Sequence, residues 1–189
     1  MGDEPLRSLL TVSTMREGKT DSLTMIDDSL LGSLYRSPMP NGRYDPDHLV
    51  YDAWMEAKID VVVSLTPVSE FIEKTGTNQL PHMEKMRFQI LHVPIQDRGV
   101  GSINSITNTV HKIIQHLLDG HNVVVHCSAG IGRAGTILAC TLCAIRSMSA
   151  LDSVHFLNEL TPSMGPENTE QLDFVKRFVQ HMSEGSNDE

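Results

Sequence analysis

In the run VVVHCSAGIGRAGT, residues 123–136, Cys127 and Arg133 stand six positions apart, with small residues, two glycines and one isoleucine between them. A β-branched run leads in and an apolar stretch leads out, so the loop joins a strand to a helix. Two chemistries fit. Gly130, Gly132 and Gly135 spell G-x-G-x-x-G, the fingerprint of a dinucleotide-binding turn. That reading needs an acidic residue about 20 positions on, at the end of a following strand. Asp152 stands near that distance, but in helical sequence, and no strand follows. The second chemistry is a nucleophilic thiol in an anion cradle. A free thiol ionises near pH ~8.5 and is a weak nucleophile at neutral pH, whereas a helix N-terminus and a nearby cation stabilise the thiolate. Cys127 has both, in the helix opening near Gly132 and in the guanidinium of Arg133. Ser128, Ala129, Gly130, Ile131 and Gly132 leave room for consecutive backbone N–H groups to turn inward as an anion nest. Arg133 can grip two phosphate oxygens at once. Phosphorus then lies over the sulfur, which favours in-line attack and a cysteinyl-phosphate intermediate. The thiol reading is the stronger of the two.

Such residues need elements to hold them, and the periodicity supplies these. Residues 29–37 read as a short strand and the Pro-rich run after it as turns. "DPDHLVYDAWMEAK" reads as a helix with Asp45 as N-cap and Pro46 at the first helical position. "IDVVVSL" reads as a strand covered on both faces, and "RFQILHVPI" as a strand ending at Pro94. Residues 67–86 show no clear period. Ser102 caps a helix that stops at Gly120, and Ser149 caps another over 150–160. Residues 161–168 read as a Pro/Gly loop and 169–182 as a final amphipathic helix. Strands alternating with helices predict a single α/β domain, a mostly parallel sheet with helices on both faces. Sites in such folds lie beyond the carboxyl ends of strands, where Cys127 falls. The expected organisation is a loose arm over 1–27, a catalytic domain over 28–182 and an acidic disordered tail over 183–189.

Composition narrows the partners. With 15 Lys+Arg against 24 Asp+Glu the chain carries a net charge of −9, which disfavours nucleic acid and anionic membranes. "MGDEPLRSLL" shows no signal or myristoylation pattern, and no apolar run reaches membrane-spanning length. Three cysteines make no disulfide framework, so a reducing cytoplasmic location and a monomer are expected. The nine histidines include no paired ligand spacing, His111 and His116 among them, so neither metal nor cofactor is expected. Cys140 and Cys143 read as buried small hydrophobes, with a resolving role toward Cys127 as the alternative. Trp54 reads as core.

"HCSAGIGRAGT" matches the H-C-x₅-R signature, and over roughly residues 28–182 the chain resembles the cysteine-dependent protein phosphatases, the protein-tyrosine and dual-specificity superfamily, in their compact form. The resemblance implies a central sheet of four or five strands. It also implies a general-acid aspartate on a separate loop about 30 residues before the nucleophile. "HVPIQDRGV" places Asp97 thirty residues before Cys127, with Gly99 and Gly101 as hinges. Taken alone, Asp97 reads as a solvated loop residue. As the acid it protonates the leaving oxygen and then activates water. Arg98 either draws in substrate or is solvated. His126 is expected to support the loop.

One departure stands out. Family members mostly carry Ser or Thr after the arginine, where the hydroxyl helps the thiolate leave. Here that residue is Ala134, which predicts slow breakdown of the phospho-enzyme, and Thr136 should point elsewhere. The resemblance also calls for a water-positioning amide. Gln171 is the first candidate and Asn168 the second, the plainer alternative being that Asn168 caps the last helix and Gln171 is exposed. "NGRYDP" is faintly similar to a pocket-deepening run of tyrosine-specific members. The short chain argues for a shallower cleft that takes phosphotyrosine and phosphoserine/threonine of proteins. Apolar Ala129 and Ile131 argue against phosphoinositides. Two other functions stay open: a near-inactive, phosphate-dependent binding module, supported by Ala134 alone, and a sulfurtransferase or arsenate-type reductase.

Overall fold

The two valine runs lie side by side at the centre of the sheet in the computed structural model, which describes residues 22–185. In chain order the elements are β1 (Thr24–Asp27), β2 (Leu34–Ser37), α1 (Val50–Glu56), β3 (Val61–Ser64), α2 (Val68–Thr75), α3 (Leu80–Lys85), β4 (Gln89–His92), α4 (Ile103–Leu118), β5 (Val123–His126), α5 (Gly132–Arg146), α6 (Ala150–Leu160) and α7 (Thr169–Gly185). The strand order is β1-β2-β5-β3-β4, with only β1 antiparallel to its neighbour. β5 is the last strand in sequence but the middle strand in space.

Alternation along β3 and β5 sends apolar residues to both faces, which is why neither run alternates with polar residues. Val61, Val63, Val123 and Val125 pack beneath α4, α5 and α7, with Ile106, Ile137 and Phe178 in that core. Val62 and Val124 face the other way, onto Trp54 of α1, Phe71 of α2 and Met83 of α3. Each valine is fully buried and contributes about 1.5 kcal/mol or more. α5 is buried along most of its length, between the sheet and α4, α6 and α7. The sequence expectation of a single α/β domain with helices on both faces of a mostly parallel sheet describes this fold.

Some expectations differ from the structure. The arm expected over 1–27 ends earlier, because Thr24–Asp27 is a strand paired with β2. The buried Asp27 carboxylate also pairs with Arg146 at the end of α5, tying this edge to the core. Residues 1–21 and 186–189 lie outside the described residues, so most of the arm and tail do too. The strand expected over 29–37 begins only at Leu34, and the last helix runs past residue 182 to Gly185. α1 starts at Val50 rather than at Pro46 because His48 takes a left-handed φ of 56°, which a helix cannot include. Asp45 still serves that helix: its Oδ1 accepts from the N–H of Leu49 at 2.8 Å and of Val50 at 3.3 Å. Ser102 and Ser149 cap α4 and α6 through their side chains, as expected. The region of unclear period holds two short helices, α2 and α3.

Candidate active site

Cys127 is the first residue after β5, and Gly132 opens α5, so the loop between them lies beyond the carboxyl end of the central strand. The loop is fixed by backbone contacts. The Met39 N–H donates to the Ser128 carbonyl at 3.0 Å. Gly130 has φ of 72°, and its Cα lies so close to the Ser37 carbonyl that a Cβ could not fit. A left-handed residue inside such a run turns successive N–H groups toward one side. The dinucleotide-like glycines therefore serve this turn and close packing.

Cys127, Ser128, Ala129, Gly132 and Arg133 line a cleft of about 440 Å³, and Asp97 faces them from the loop after β4. Gly130 and Ile131 are in the same turn but not on the cleft wall. Arg133, only 2% exposed, is held on every side. Its Nη1 and Nη2 donate to the Glu70 carboxylate at 2.7 and 2.8 Å, and Nη1 donates to the Ile95 carbonyl at 2.9 Å. Its Nη2 also lies 2.9 Å from Asp97 Oδ1. Burial works against both charges of the Arg133–Glu70 pair. Their bidentate bonding outweighs it, raising the Arg133 pKa and, with help from Lys74, lowering that of Glu70 below its ordinary 4.5.

Glu70 and Lys74, one turn apart on α2, were not singled out by sequence reasoning. Lys74 Nζ donates to Glu70 Oε1 at 2.7 Å and to Ser128 Oγ at 3.0 Å, so an ammonium sits on the cradle wall. Their only sequence signal is an i, i+4 acid–base pair in a segment of unclear period. Arg43, Tyr44, Arg98 and Glu167 complete the cleft, so "NGRYDP" does reach the site. Arg98 Nε lies 3.7 Å from Glu167 Oε1. The cleft thus gathers cations on a chain of net charge −9.

The remaining candidates are placed less simply. His126 is fully buried against Trp54 and Phe71, and burial holds its pKa down to about 3. Ala134 is fully buried, and the Thr136 hydroxyl donates to the Gly132 carbonyl at 2.8 Å, away from the cleft. Asn168 caps α7, its Oδ1 accepting from the Gln171 N–H at 2.9 Å. Gln171 is buried, not exposed, and its Oε1 accepts from the Glu167 N–H at 2.9 Å. Neither amide lines the cleft. Their NH₂ groups turn instead to the Asp97 loop, Asn168 Nδ2 donating to the Arg98 carbonyl at 2.8 Å and Gln171 Nε2 to the Gly99 carbonyl at 3.2 Å. Cys140 and Cys143 lie in the core on α5, where burial pushes both thiols up. Among the described residues no group of three His, Cys, Asp or Glu side chains could hold a metal ion, and no single helix is long and apolar enough to cross a membrane.

A thiol at a helix N-terminus, a clamped arginine and a facing carboxylate on a parallel sheet define the class of the cysteine-based phosphatases. Residues 41–146, more than half of the chain, match the family described as "polymorphic toxin system, DSP-PTPase phosphatase", and the chain belongs to that family. Among its relatives, an uncharacterized protein of Methanocaldococcus jannaschii is 30% identical over 95 residues, 50% of this chain and 62% of that one. Protein tyrosine phosphatase domain-containing protein 1 of Mus musculus is 33% identical over 88 residues, 47% of this chain and 12% of that one. The chain thus spans less than two thirds of either relative. The fold is shared with Tk-PTP in its active form, at a TM-score of 0.70 and 24% identity over 85% of this chain and 97% of that one. It is also shared with kinase associated phosphatase, at a TM-score of 0.75 and 16% identity over 85% and 95%.

Proposed function

We propose that the chain hydrolyses phosphomonoesters of proteins, phosphotyrosine together with phosphoserine and phosphothreonine, through a cysteinyl-phosphate intermediate. The observation that carries this reading is the convergence of Cys127, Arg133 and Asp97, from three separate elements, on one cleft. The incoming dianion takes the guanidinium of Arg133 that Asp97 now occupies, and the cradle N–H groups and Lys74 hold its remaining oxygens. Sulfur attacks phosphorus in line while Asp97 donates a proton to the leaving oxygen; water then attacks the phospho-cysteine with Asp97 as base. A cytoplasmic location, supported by three unpaired thiols, and a monomeric state belong to the same proposal.

Rapid-mixing hydrolysis of an aryl phosphate tests it. Turnover blocked by vanadate and reduced about ten-thousand-fold or more in Cys127→Ser is the expected result. Ala134 favours one second reading, a phosphate-binding module. Vanadate binding by a folded protein with no product release above background selects that reading and sinks the first.

A further inference from the structure

Asn168 and Gln171 contact the Asp97 loop in a way that the chemistry above leaves unused. Each is a primary amide with its two ends committed. One end accepts from a backbone N–H in or just before the first turn of α7, Gln171 N for Asn168 and Glu167 N for Gln171. The other end donates to a carbonyl of the loop 96–101, Arg98 O and Gly99 O respectively. An N–H on one side and a C=O on the other fix the orientation of each amide. The two carbonyls are successive and follow Asp97 directly. The loop has few other ties: Asp97 to Arg133, Arg98 to Glu167, and the internal Gly99 N–H to the Gln96 carbonyl. Arg98 sits at φ of 61°, a left-handed turn that a non-glycine residue adopts only when held there. Gln171 is fully buried, so the donor end of its bond to the half-buried Gly99 is out of reach of water.

We propose that Asn168 and Gln171 are positioning residues that hold the Asp97 loop closed over the phosphate cradle, and are not the amides that orient the attacking water. The proposal rests on the phosphatase reading, with Asp97 as the proton donor. A carboxyl held in reach of the leaving oxygen matters most when that oxygen is strongly basic, and little when it leaves unaided. The effect of losing the latch is therefore selective for the leaving group.

Asn168→Asp and Gln171→Glu are the variants to make. Each keeps the accepting oxygen at α7 and replaces the donating NH₂ by a second oxygen. kcat/KM is measured against pH for phenyl phosphate, with a basic leaving group, and 2,4-dinitrophenyl phosphate, with a weakly basic one. Asp97→Asn and Cys127→Ser serve as references. The expected result is a loss of about tenfold or more on phenyl phosphate and about twofold or less on the dinitrophenyl ester, with a flattened alkaline limb of the pH profile, in the direction of Asp97→Asn. Amide hydrogen exchange over residues 96–101 should quicken while exchange in β5 and α5 stays unchanged, which separates loop release from general unfolding. Equal losses on both esters, or none, overturn the proposal. So does an unchanged leaving-group dependence with a larger burst and slower steady state, the mark of lost water positioning. If the wild type shows no Cys127-dependent hydrolysis, the phosphatase reading itself fails and the proposal falls with it, an outcome distinct from the others.

Discussion

The two loops that face each other across the cleft are built in opposite ways. The cradle, 127–132, is wedged between the middle strand and a buried helix. Its thiol is 3% exposed, its arginine is clamped by a buried carboxylate, and its turn is pinned by Met39 and by Ser37 packed against Gly130. The opposing loop, 96–101, stands at the rim, and the Asp97 side chain is 63% exposed. It is fastened mainly by a few polar contacts, those of Asn168 and Arg98 open to water, with Val100 half-buried against the core. Groups that bind a charge fixed in the ground state belong on packed backbone, since tight geometry costs nothing to reorganise. A proton donor that must let substrate in belongs on a segment of low local stability.

The rigid side breaks first at Glu70. In Glu70→Ala the buried Arg133 loses its bidentate partner, keeping Asp97, the Ile95 carbonyl and the nearby Cys127 sulfur, and Lys74 loses one of its two contacts. Chemical denaturation should show a loss of about 3–5 kcal/mol, as for one partner removed from a buried ion pair. A loss below about 1 kcal/mol would mean that water reaches the guanidinium and the cradle is not the packed structure described. The opposing side breaks at Asp97. Asp97→Asn should leave the melting temperature nearly unchanged while lowering kcat/KM on phenyl phosphate about a hundredfold. A marked loss of stability would place Asp97 among the structural residues of the cradle and erase the contrast.

A smaller effect is expected at Ala134, where the rigid side lacks the hydroxyl that the resemblance to the phosphatase superfamily calls for and Thr136 does not replace it. Ala134→Ser should raise the steady-state rate about tenfold, or about 1.4 kcal/mol of barrier, with the burst unchanged in size. An unchanged steady-state rate would show that the alanine is not where turnover is slow.

How far each loop was legible in the sequence follows the same division. The cradle could be read because its chemistry is local: thiol, glycines and arginine lie within seven residues, and strand and helix signals flank them. Asp97 was legible only through its spacing in the family signature. The partners that set the geometry were not legible. Glu70 is 63 residues from Arg133, Lys74 is 54 from Ser128, and Asn168 and Gln171 are 70 and 72 from the carbonyls they bind. Nothing in the residue types announces a contact of that range. The resemblance calls for a water-positioning amide at Gln171 or Asn168, and in the structure both NH₂ groups donate to the loop. Asp45 shows the same limit in miniature: its capping chemistry was legible, but the left-handed His48 that delays the helix was not.

The most subtle test of the contrast lies beneath the cradle, at His126. Its ring is fully buried among Trp54 and Phe71, with its pKa held down to about 3, first by burial and then by the nearby charges of Arg133 and His92, against the opposing influence of the Cys127 backbone and Glu70. In the unfolded chain the same ring titrates near 6.5. Between these values the unfolded state binds the extra proton, so this group's contribution to stability is complete above about pH 6.5 and is lost progressively as pH falls toward 3. Glu70, lowered from 4.5, adds a loss of the same sign, but only at pH values below that. From pH 7.5 to 5.5, therefore, the wild type should lose about 1 kcal/mol more than His126→Gln, whose side chain does not titrate. The difference of differences removes whatever the substitution itself costs. The ring-proton resonance of His126 should stay fixed over that range. Equal losses in both proteins, with a His126 resonance that titrates near 6.5, would mean that water penetrates under the cradle and that the contrast between the two loops does not hold.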